Sequence, residues 1–378
     1  MSCNQLTKTN KLHIISSTEY RKEMWEKSLV HSPFGVNDRL IFLVCRFFSL
    51  MGNLQSKKHN IALIMLSATA FIWGCGFLLS DTLLKNGFAN IPFSLNALRF
   101  GIAAIVLSIV FCKRITLSKQ LMLYGCVGGV LLFGGFGMQL LGLRYTTPAT
   151  CGFFTASYTL FVPLIVWIIY KKRPPLLASL GIVAALAGLL VLNVPNQEGP
   201  QGENELLGNL LTLGGSLFFA IQIVWAERAL KDKGVDPVGM TVVQVATCAT
   251  IFVVVAFIFE ANKYGTEQID WKVCWWILAI ISLLGTAFAY FSQTFGQNYL
   301  TSTETSIVIA CESPIGAIMS VAIGAERLSW QICVGGFLIL LAVVLVEILP
   351  NALSKNTETT FDCEKSAKEE DSDIKRQK

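Results

Sequence analysis

The sequence predicts an all-α membrane protein with ten transmembrane helices, arranged as two inverted five-helix repeats. Three observations predict this fold class. Of the 378 residues, 53% are hydrophobic and 15% are charged, and the mean hydropathy is +0.57, which is far more apolar than soluble domains of this size. The apolar residues gather into ten runs of membrane-crossing length. The second half of the chain also repeats residues of the first half at a fixed offset.

The apolar runs begin at Ile61 and are separated by short polar segments. A helix of about 20 residues crosses roughly 30 Å of hydrocarbon, because each residue adds about 1.5 Å. Each run is therefore predicted to be one span. The predicted spans are 61–79, 93–111, 121–143, 149–170, 176–194, 206–226, 238–259, 273–295, 305–325 and 328–346.

The two ends of the chain differ from this apolar core. Residues 1–56 are polar and mixed in charge, and their one apolar stretch, 40–51, contains Arg46 and is too short to span a bilayer. This stretch also lacks the pattern of a signal peptide. We expect 1–56 to be a disordered or spurious extension, with either Met1 or Met51 as the natural start. Residues 350–378 are too charged to bury a core, and we expect a disordered tail.

The loops between the runs predict the orientation of the chain. Twelve Lys and Arg residues fall on the side that holds both ends of the core, and five fall on the other side. Loops on the cytoplasmic side of a membrane carry the excess of positive charge. The sequence therefore predicts a multi-pass protein of the plasma membrane with both termini in the cytoplasm.

An internal repeat divides the core into residues 57–195 and 206–349. At an offset of 154, Gly142 corresponds to Gly296, Tyr145 to Tyr299, Thr147 to Thr301, Ala156 to Ala310, and Arg173 to Arg327. Each half holds five predicted spans. Because five is odd, the second half is expected to enter the membrane inverted relative to the first, as in many secondary transporters.

Several short motifs carry a family resemblance. They are Phe71-Ile72-Trp73-Gly74, Ala97-Leu98-Arg99-Phe100, Gly142-Leu143-Arg144-Tyr145, Gly152-Phe153-Phe154-Thr155, Val162-Pro163-Leu164, Glu312-Ser313-Pro314 and Gly324-Ala325-Glu326-Arg327-Leu328. Together they resemble the drug/metabolite transporter superfamily, and most of all its EamA-type permeases. The resemblance covers about 61–349. It implies ten spans, a central cavity, and export or exchange of small metabolites, without indicating which ones.

The sequence departs from that family at one position. The first half reads Lys172-Arg173-Pro174 where the second half reads Glu326-Arg327-Leu328. The acidic residue that is common at the end of the family's fourth span is therefore missing. Any ion pair that this residue makes elsewhere in the family is not expected here.

Composition and motifs also exclude several classes of function. The eleven cysteines are scattered singly, so neither a disulfide framework nor a zinc site is indicated. No GxxxxGK[ST] phosphate loop occurs, and no basic-aromatic face is present for nucleic acid. We therefore predict no catalytic residues, metal or cofactor. The predicted partners are the lipid bilayer and a small-molecule substrate, with protons as a candidate coupling ion.

Glu312 is the leading functional candidate. It lies seven residues into the ninth predicted span, about 10 Å from the inner face at 1.5 Å per residue, and Pro314 follows it. A carboxylate at that depth costs about 2.5–3.5 kcal/mol on insertion scales and normally faces a cavity or a partner. Pro314 also leaves the carbonyl of Ala310 without its helical donor. We predict that Glu312 binds the coupling proton, although a purely structural carboxyl group remains the alternative.

Arg99 is the other charged residue inside a predicted span, about 9 Å from the outer face by the same counting. Its guanidinium group is suited to an anionic substrate group such as a carboxylate. The alternative is that its long side chain extends to the outer interface. The difference in depth makes a direct ion pair with Glu312 unexpected.

Seven further side chains are predicted to contact substrate because they are polar or aromatic within apolar spans. They are Trp73, Gln139, Tyr158, Gln222, Gln244, Gln293 and Gln297. Such side chains can line a wet cavity, but they also bridge helices for roughly 1 kcal/mol each. The two roles stay open at this stage. Pro163 is expected to loosen the fourth span as Pro314 loosens the ninth.

These features favour a secondary active transporter, most simply an exporter, that moves small metabolites, amino acids or drug-like molecules by alternating access. An antiporter of sugar phosphates or nucleotide sugars is the first alternative, although it would need several cations in its cavity. An intramembrane enzyme is less favoured, because the three histidines all lie outside the predicted spans. A non-transporting scaffold is the third alternative.

Overall fold

The computed structural model describes residues 57–171, 176–192, 204–232, 234–324 and 327–345. The expected N-terminal extension, the C-terminal tail and the motif Lys172-Arg173-Pro174 lie outside these residues. All regular secondary structure in the described ranges is helical, and they contain no strand. The predicted all-α class is therefore confirmed.

We number the helices α1 to α10 in chain order, and an interrupted helix keeps one number. In the first half, α1 is Lys57–Leu83 with a π-helical extension Leu84–Phe88, α2 is Pro92–Phe111, α3 is Lys119–Leu143, α4 is Pro148–Thr155 with Tyr158–Tyr170, and α5 is Leu176–Leu192. In the second half, α6 is Glu205–Leu230, α7 is Pro237–Glu260, α8 is Trp271–Ser282 with the π-helical segment Leu283–Phe288 and Ala289–Gln297, α9 is Ser302–Ala310 with Glu312–Ala322, and α10 is Trp330–Val343.

Eight helices of the described residues, α1 to α4 and α6 to α9, are long and apolar enough to cross a membrane. The other two, α5 and α10, have 17 and 14 described helical residues and lie at the fifth and tenth predicted spans. The chain is therefore a multi-pass membrane protein with eight spans of full length in its described part. The total of ten stays a prediction.

Helix starts follow from local sequence signals. Pro92, Pro148 and Pro237 each stand at the first turn of a helix, where a missing N–H costs nothing. Ser118 accepts a hydrogen bond from the Leu121 N–H at 3.0 Å and so caps α3. The prolines remove an N–H group, and the Ser118 cap satisfies one, that lipid could not hydrogen-bond.

Helix α1 is longer than the predicted span 61–79. It continues through Asp81 and Lys85, whose side chains form an ion pair of 2.6 Å one helical turn apart. The regular helical backbone of this extension is broken at Asn86 and Gly87, and the φ of +115° at Gly87 is accessible to glycine and strained for other residues. The prediction ended too early because it treated these charged residues as loop.

Small residues allow α3 to pack tightly against α6. A Cβ atom added at Gly142 would lie 2.3 Å from Thr212 Oγ1 and 2.7 Å from the Gly208 carbonyl oxygen. Thr146 donates a hydrogen bond to Asn209 Oδ1 at 2.9 Å at the same end of the pair. Close backbone approach and interhelical hydrogen bonds are what hold helices together in lipid.

The carboxylate of Glu260 ties the end of α7 to the start of α2. It accepts hydrogen bonds from Phe93 N at 2.8 Å, from Ser94 N at 2.7 Å and from Ser94 Oγ at 2.5 Å. A carboxylate at a helix N-terminus pairs with otherwise unsatisfied N–H groups and with the helix dipole. One side chain of the second half therefore caps a helix of the first half.

We expect Gly142→Ala to destabilise the protein, because its methyl group would collide with Thr212 and the Gly208 carbonyl. Overpacking of this kind costs about 1–3 kcal/mol. Thermal unfolding of the purified protein in detergent would show the effect as a lower Tm. Gly101→Ala in α2 is the matched control, since a Cβ there meets nothing within 4 Å. Equal Tm values for the two variants would contradict tight α3–α6 packing.

Candidate functional site

A cavity lies among α1, α2, α3, α4, α6, α8 and α9, and it is lined by residues of both halves of the chain. Seven of the nine residues predicted from sequence line it: Trp73, Arg99, Gln139, Tyr158, Gln222, Gln293 and Glu312. Its lining also includes Ser80, Asn96, Thr155 and Tyr290. Among the described residues, the cavity lining thus combines one guanidinium group, one carboxyl group, several amides and an aromatic wall.

Glu312 reaches the cavity because α9 is interrupted beside it. The first segment of α9 ends at Ala310, and Glu312 begins the second, where the helix N-terminus favours a carboxylate. The side chain is 2% exposed, and its Oε1 accepts a hydrogen bond from the Tyr158 hydroxyl at 3.3 Å. Glu312 is therefore deeply buried, with its carboxyl group in contact with the first half.

Helix α4 is interrupted in the corresponding way. Its second segment begins at Tyr158, which precedes Glu312 by 154 residues, the offset of the internal repeat. The interruption lies at Ala156 and Ser157, ahead of Pro163, which lies within the second segment. The expected loosening at Pro163 stays a prediction, because the helix continues through a residue that has no backbone N–H to donate.

Arg99 points inward and does not extend to the interface. Its side chain is 8% exposed, its Nε donates a hydrogen bond to Thr286 Oγ1 at 2.7 Å, and its Nη2 donates to the Gly285 carbonyl at 3.1 Å. The guanidinium carbon also lies 4.7 Å from the centre of the Phe136 ring, a cation–π contact. Among the described residues, no carboxylate forms an ion pair with it.

Trp73 shares a hydrogen-bond acceptor with Arg99. Its indole N–H donates to the Gly285 carbonyl at 2.7 Å, and its ring lies 5.4 Å from that of Tyr290. Phe136 and Phe219 continue this aromatic wall, with ring centres 5.0 Å apart. Such a wall offers a flat apolar surface on which a ring or hydrocarbon group can pack.

Three glutamines form a hydrogen-bond chain between α6, α7 and α8. Gln293 Nε2 donates to Gln222 Oε1 at 3.1 Å, and Gln222 Nε2 donates to Gln244 Oε1 at 3.2 Å. Gln244 Nε2 then donates to Thr294 Oγ1 at 3.2 Å. Gln222 and Gln293 line the cavity, whereas Gln244 lies behind them and bridges helices.

Gln297 is the second predicted residue that the structure places outside the cavity lining. Its Nε2 donates to the carbonyl of Ile223 at 2.9 Å, which joins α8 to α6. Gln139 does line the cavity, and its Nε2 donates to Thr155 Oγ1 at 3.1 Å. The amide side chains therefore divide into a cavity set and a bridging set.

The sequence profile of the EamA-like transporter family matches residues 60–194 and 206–348, which is most of the chain. The chain belongs to the EamA-like transporter family. An uncharacterized transporter of Archaeoglobus fulgidus is 27% identical over 315 residues, covering 83% of this chain and 94% of that protein. The uncharacterized transporter YyaM of Bacillus subtilis is 26% identical over 299 residues, covering 76% and 93%.

The fold also matches that of a solved crystal structure whose description gives no function. The TM-score is 0.57 at 16% identity, and the match covers 76% of this chain and 96% of the other. At this identity the likeness concerns the fold alone. The family membership makes this protein a membrane transporter and gives no substrate.

Sequence reasoning missed several cavity residues of this EamA-like transporter. Asn96 is 2% exposed and donates a hydrogen bond to the Phe136 carbonyl at 3.3 Å. Its amide side chain within an apolar span was a signal from which the sequence could have identified it. Gly285 and Thr286 are not part of the cavity lining, but they bind Arg99, and the sequence carries no signal for them because a π-helical segment cannot be recognised from residue types. Tyr290 was hidden in the same way within an aromatic-rich span.

We expect Gln222→Leu to lower the stability of this EamA-like transporter. The change would leave Gln293 Nε2 and Gln244 Oε1 without their partners, and each buried unpaired group costs about 1–3 kcal/mol. Thermal unfolding in detergent would report the loss. Gln120→Leu is the matched control, because Gln120 lies exposed in the first turn of α3. A variant at Gln222 as stable as the control would mean that the amide chain contributes little.

Proposed function

We propose that this EamA-like transporter is a secondary active exporter of small metabolites, amino acids or drug-like molecules, driven by protons. The observation that carries the proposal is the cavity itself, which holds one guanidinium and one carboxyl group between helices of the two halves. Charged groups at membrane depth are costly and mark substrate or ion pathways. A site at the interface of two repeats is also the usual arrangement in secondary transporters.

An inverted repeat of two five-helix halves, 57–195 and 206–349, is part of this proposal. The family profile matches two segments of similar length, one in each half. Two pairs of cavity residues, Gln139 with Gln293 and Tyr158 with Glu312, stand at the repeat offset of 154. Equivalent residues that meet at one cavity support a two-fold relation between the halves, and alternating access would follow from it.

The proposed roles follow from the contacts. Arg99 binds an anionic group of the substrate, because its partners in the described residues are neutral oxygens. Glu312 carries the coupling proton, and Tyr158 orients its carboxyl group. The remaining lining residues of the sequence prediction, Trp73 and the glutamines 139, 222 and 293, contact the substrate. Gln244 and Gln297 support the wall behind them.

We further propose that the protein lies in the plasma membrane and that both of its termini face the cytoplasm. In that orientation Ser80, Asn96 and Leu143, which belong to the cavity lining, lie toward the outer ends of α1, α2 and α3. At the inner end, Glu227 of α6 accepts hydrogen bonds from the backbone N–H and hydroxyl of Ser302 at the start of α9. At the outer end, Glu260 of α7 joins the start of α2 through Phe93 and Ser94, so hydrogen bonds between helices are present at both ends.

A sugar-phosphate or nucleotide-sugar antiporter is the alternative. Phosphate groups are usually held by several cations. Arg99 is the basic residue among the described residues that line the cavity. The single guanidinium therefore favours substrates with one anionic group, such as a carboxylate.

We expect Glu312→Gln to reduce proton-driven flux at least tenfold. The amide can still accept the hydrogen bond from Tyr158, but it cannot bind and release a proton. The test compares labelled carboxylates, amino acids, neutral sugars and organic amines in proteoliposomes, with and without an imposed pH gradient.

Glu304→Gln provides the matched control for this experiment. Glu304 lies in the same helix, and its side chain accepts a hydrogen bond from Thr301 N at 2.9 Å in a capping box. Glutamine can fill that capping role, so flux should remain near the wild-type value. Proton-coupled flux that survives in Glu312→Gln would remove Glu312 from the mechanism.

The proposed orientation predicts which loops react with a membrane-impermeant maleimide. Cys112 is exposed in the loop after α2 and should react only in permeabilised cells. Thr266→Cys, in the loop after α7, should react in intact cells. Each cysteine would be tested alone, with the remaining cysteines replaced by serine or alanine. Labelling of both positions from the same side would contradict the proposed topology, because α3 to α7 form five consecutive spans between them.

A further inference from the structure

The hydrogen-bond pattern of α8 changes where it passes Arg99 and Trp73. Residues Leu283–Phe288 form a π-helical segment between two α-helical parts of α8. In an α-helix the carbonyl of Gly285 would accept the N–H of Ala289. Here the Ala289 N–H is directed to the carbonyls of Leu284 and Thr286 instead. Short π-helical segments within α-helices are frequent at functional sites.

This change frees the Gly285 carbonyl for side chains of other helices. It accepts the indole N–H of Trp73 at 2.7 Å and Nη2 of Arg99 at 3.1 Å. Both donors come from the first half of the chain, and both line the cavity. One backbone oxygen of the second half thus fixes an aromatic and a cationic side chain at the same time.

The hydroxyl of Thr286 completes the arrangement. It donates to the Ile281 carbonyl at 3.0 Å, five residues earlier, which is again the π-helical spacing. It accepts the Nε–H of Arg99 at 2.7 Å. Since its one proton is used on Ile281, its lone pairs face the guanidinium group, and the direction of the bond is set. Thr286 is fully buried, so water does not compete for these bonds.

We propose that Thr286 and the Gly285 carbonyl are positioning groups that hold Arg99 for the capture of an anionic substrate group. The inference rests on the proposed role of Arg99 and adds the element that orients it. Nε and Nη2 are bound on one edge of the guanidinium plane, so the plane is fixed, and the side chain keeps its place in the cavity beside Phe136. A guanidinium group held in this way loses less freedom when it binds a carboxylate.

The test measures binding of an anion and of its neutral isostere to the purified full-length protein in detergent. The probes are radiolabelled benzoate and benzamide, which share a ring that suits the aromatic wall and differ in charge. We expect the wild type to prefer benzoate and Arg99→Gln to lose that preference. Thr286→Val, which keeps the shape but not the hydroxyl, should raise the Kd for benzoate about tenfold and leave benzamide unchanged. Thr286→Ser should restore benzoate binding.

A second measurement follows the Arg99 Nε–H group by nitrogen-15 NMR, assigned with Arg99→Lys. Its exchange with solvent should be slow in the wild type and in Thr286→Ser, and at least tenfold faster in Thr286→Val. Thr286→Ala replaces Thr286→Val if the valine variant is not monodisperse.

The outcomes separate this inference from the proposed function. Wild-type benzoate affinity in Thr286→Val, together with loss in Arg99→Gln, would overturn the positioning role and leave anion capture by Arg99 intact. Equal affinities for benzoate and benzamide in the wild type would overturn both the positioning role and anion capture by Arg99, whereas proton-driven export is tested separately by the flux of Glu312→Gln. In that case slow exchange of the Arg99 Nε–H would assign Thr286 a purely structural role.

Discussion

A guanidinium group and a carboxyl group lie in one cavity at membrane depth without pairing with each other, and this constraint shapes the rest of the structure. Removing an ion from water costs several kcal/mol unless nearby groups compensate. Arg99 therefore donates hydrogen bonds to a hydroxyl and a carbonyl group and lies against an aromatic ring. Glu312 accepts a hydrogen bond from a tyrosine hydroxyl and stands at the start of a helical segment. Direct pairing would satisfy both groups at once, but it would leave neither available to a ligand.

The groups that compensate these charges come from irregular helix geometry. The π-helical segment of α8 frees the Gly285 carbonyl, and the interruption of α9 places Glu312 at a helix start. Backbone groups without helical partners are tolerated in a membrane only where protein or cavity water satisfies them. The irregular parts of α8 and α9 accordingly adjoin the cavity. Regular helix, as in α2 and α7, supplies the packing around them.

The sequence predicted the eight spans of full length in the described residues, because apolar runs of about 20 residues have few alternatives to a membrane helix. It predicted charged and polar cavity candidates for a related reason, since a residue such as Glu312 is too costly in lipid without a use. It could not separate Gln222 from Gln244, because the residue type of a glutamine in a span does not show whether its amide faces a cavity or a neighbouring helix. It also missed Thr286, whose role depends on a shift in backbone hydrogen bonding and not on its residue type.

The Tyr158–Glu312 contact has a consequence for the proposed inverted arrangement. Residues at equivalent positions of two repeats can touch only close to the axis that relates the repeats. Their contact at the repeat offset would therefore place Glu312 close to the pseudo-two-fold axis. In alternating access, the two halves exchange their conformations about this axis. A group on the axis stays at the centre of the exchange, so it could be open to one side of the membrane and then to the other. Because the equivalent residue is tyrosine and not a second acid, the cavity has one carboxyl group at this point, and repulsion between two carboxylates is avoided.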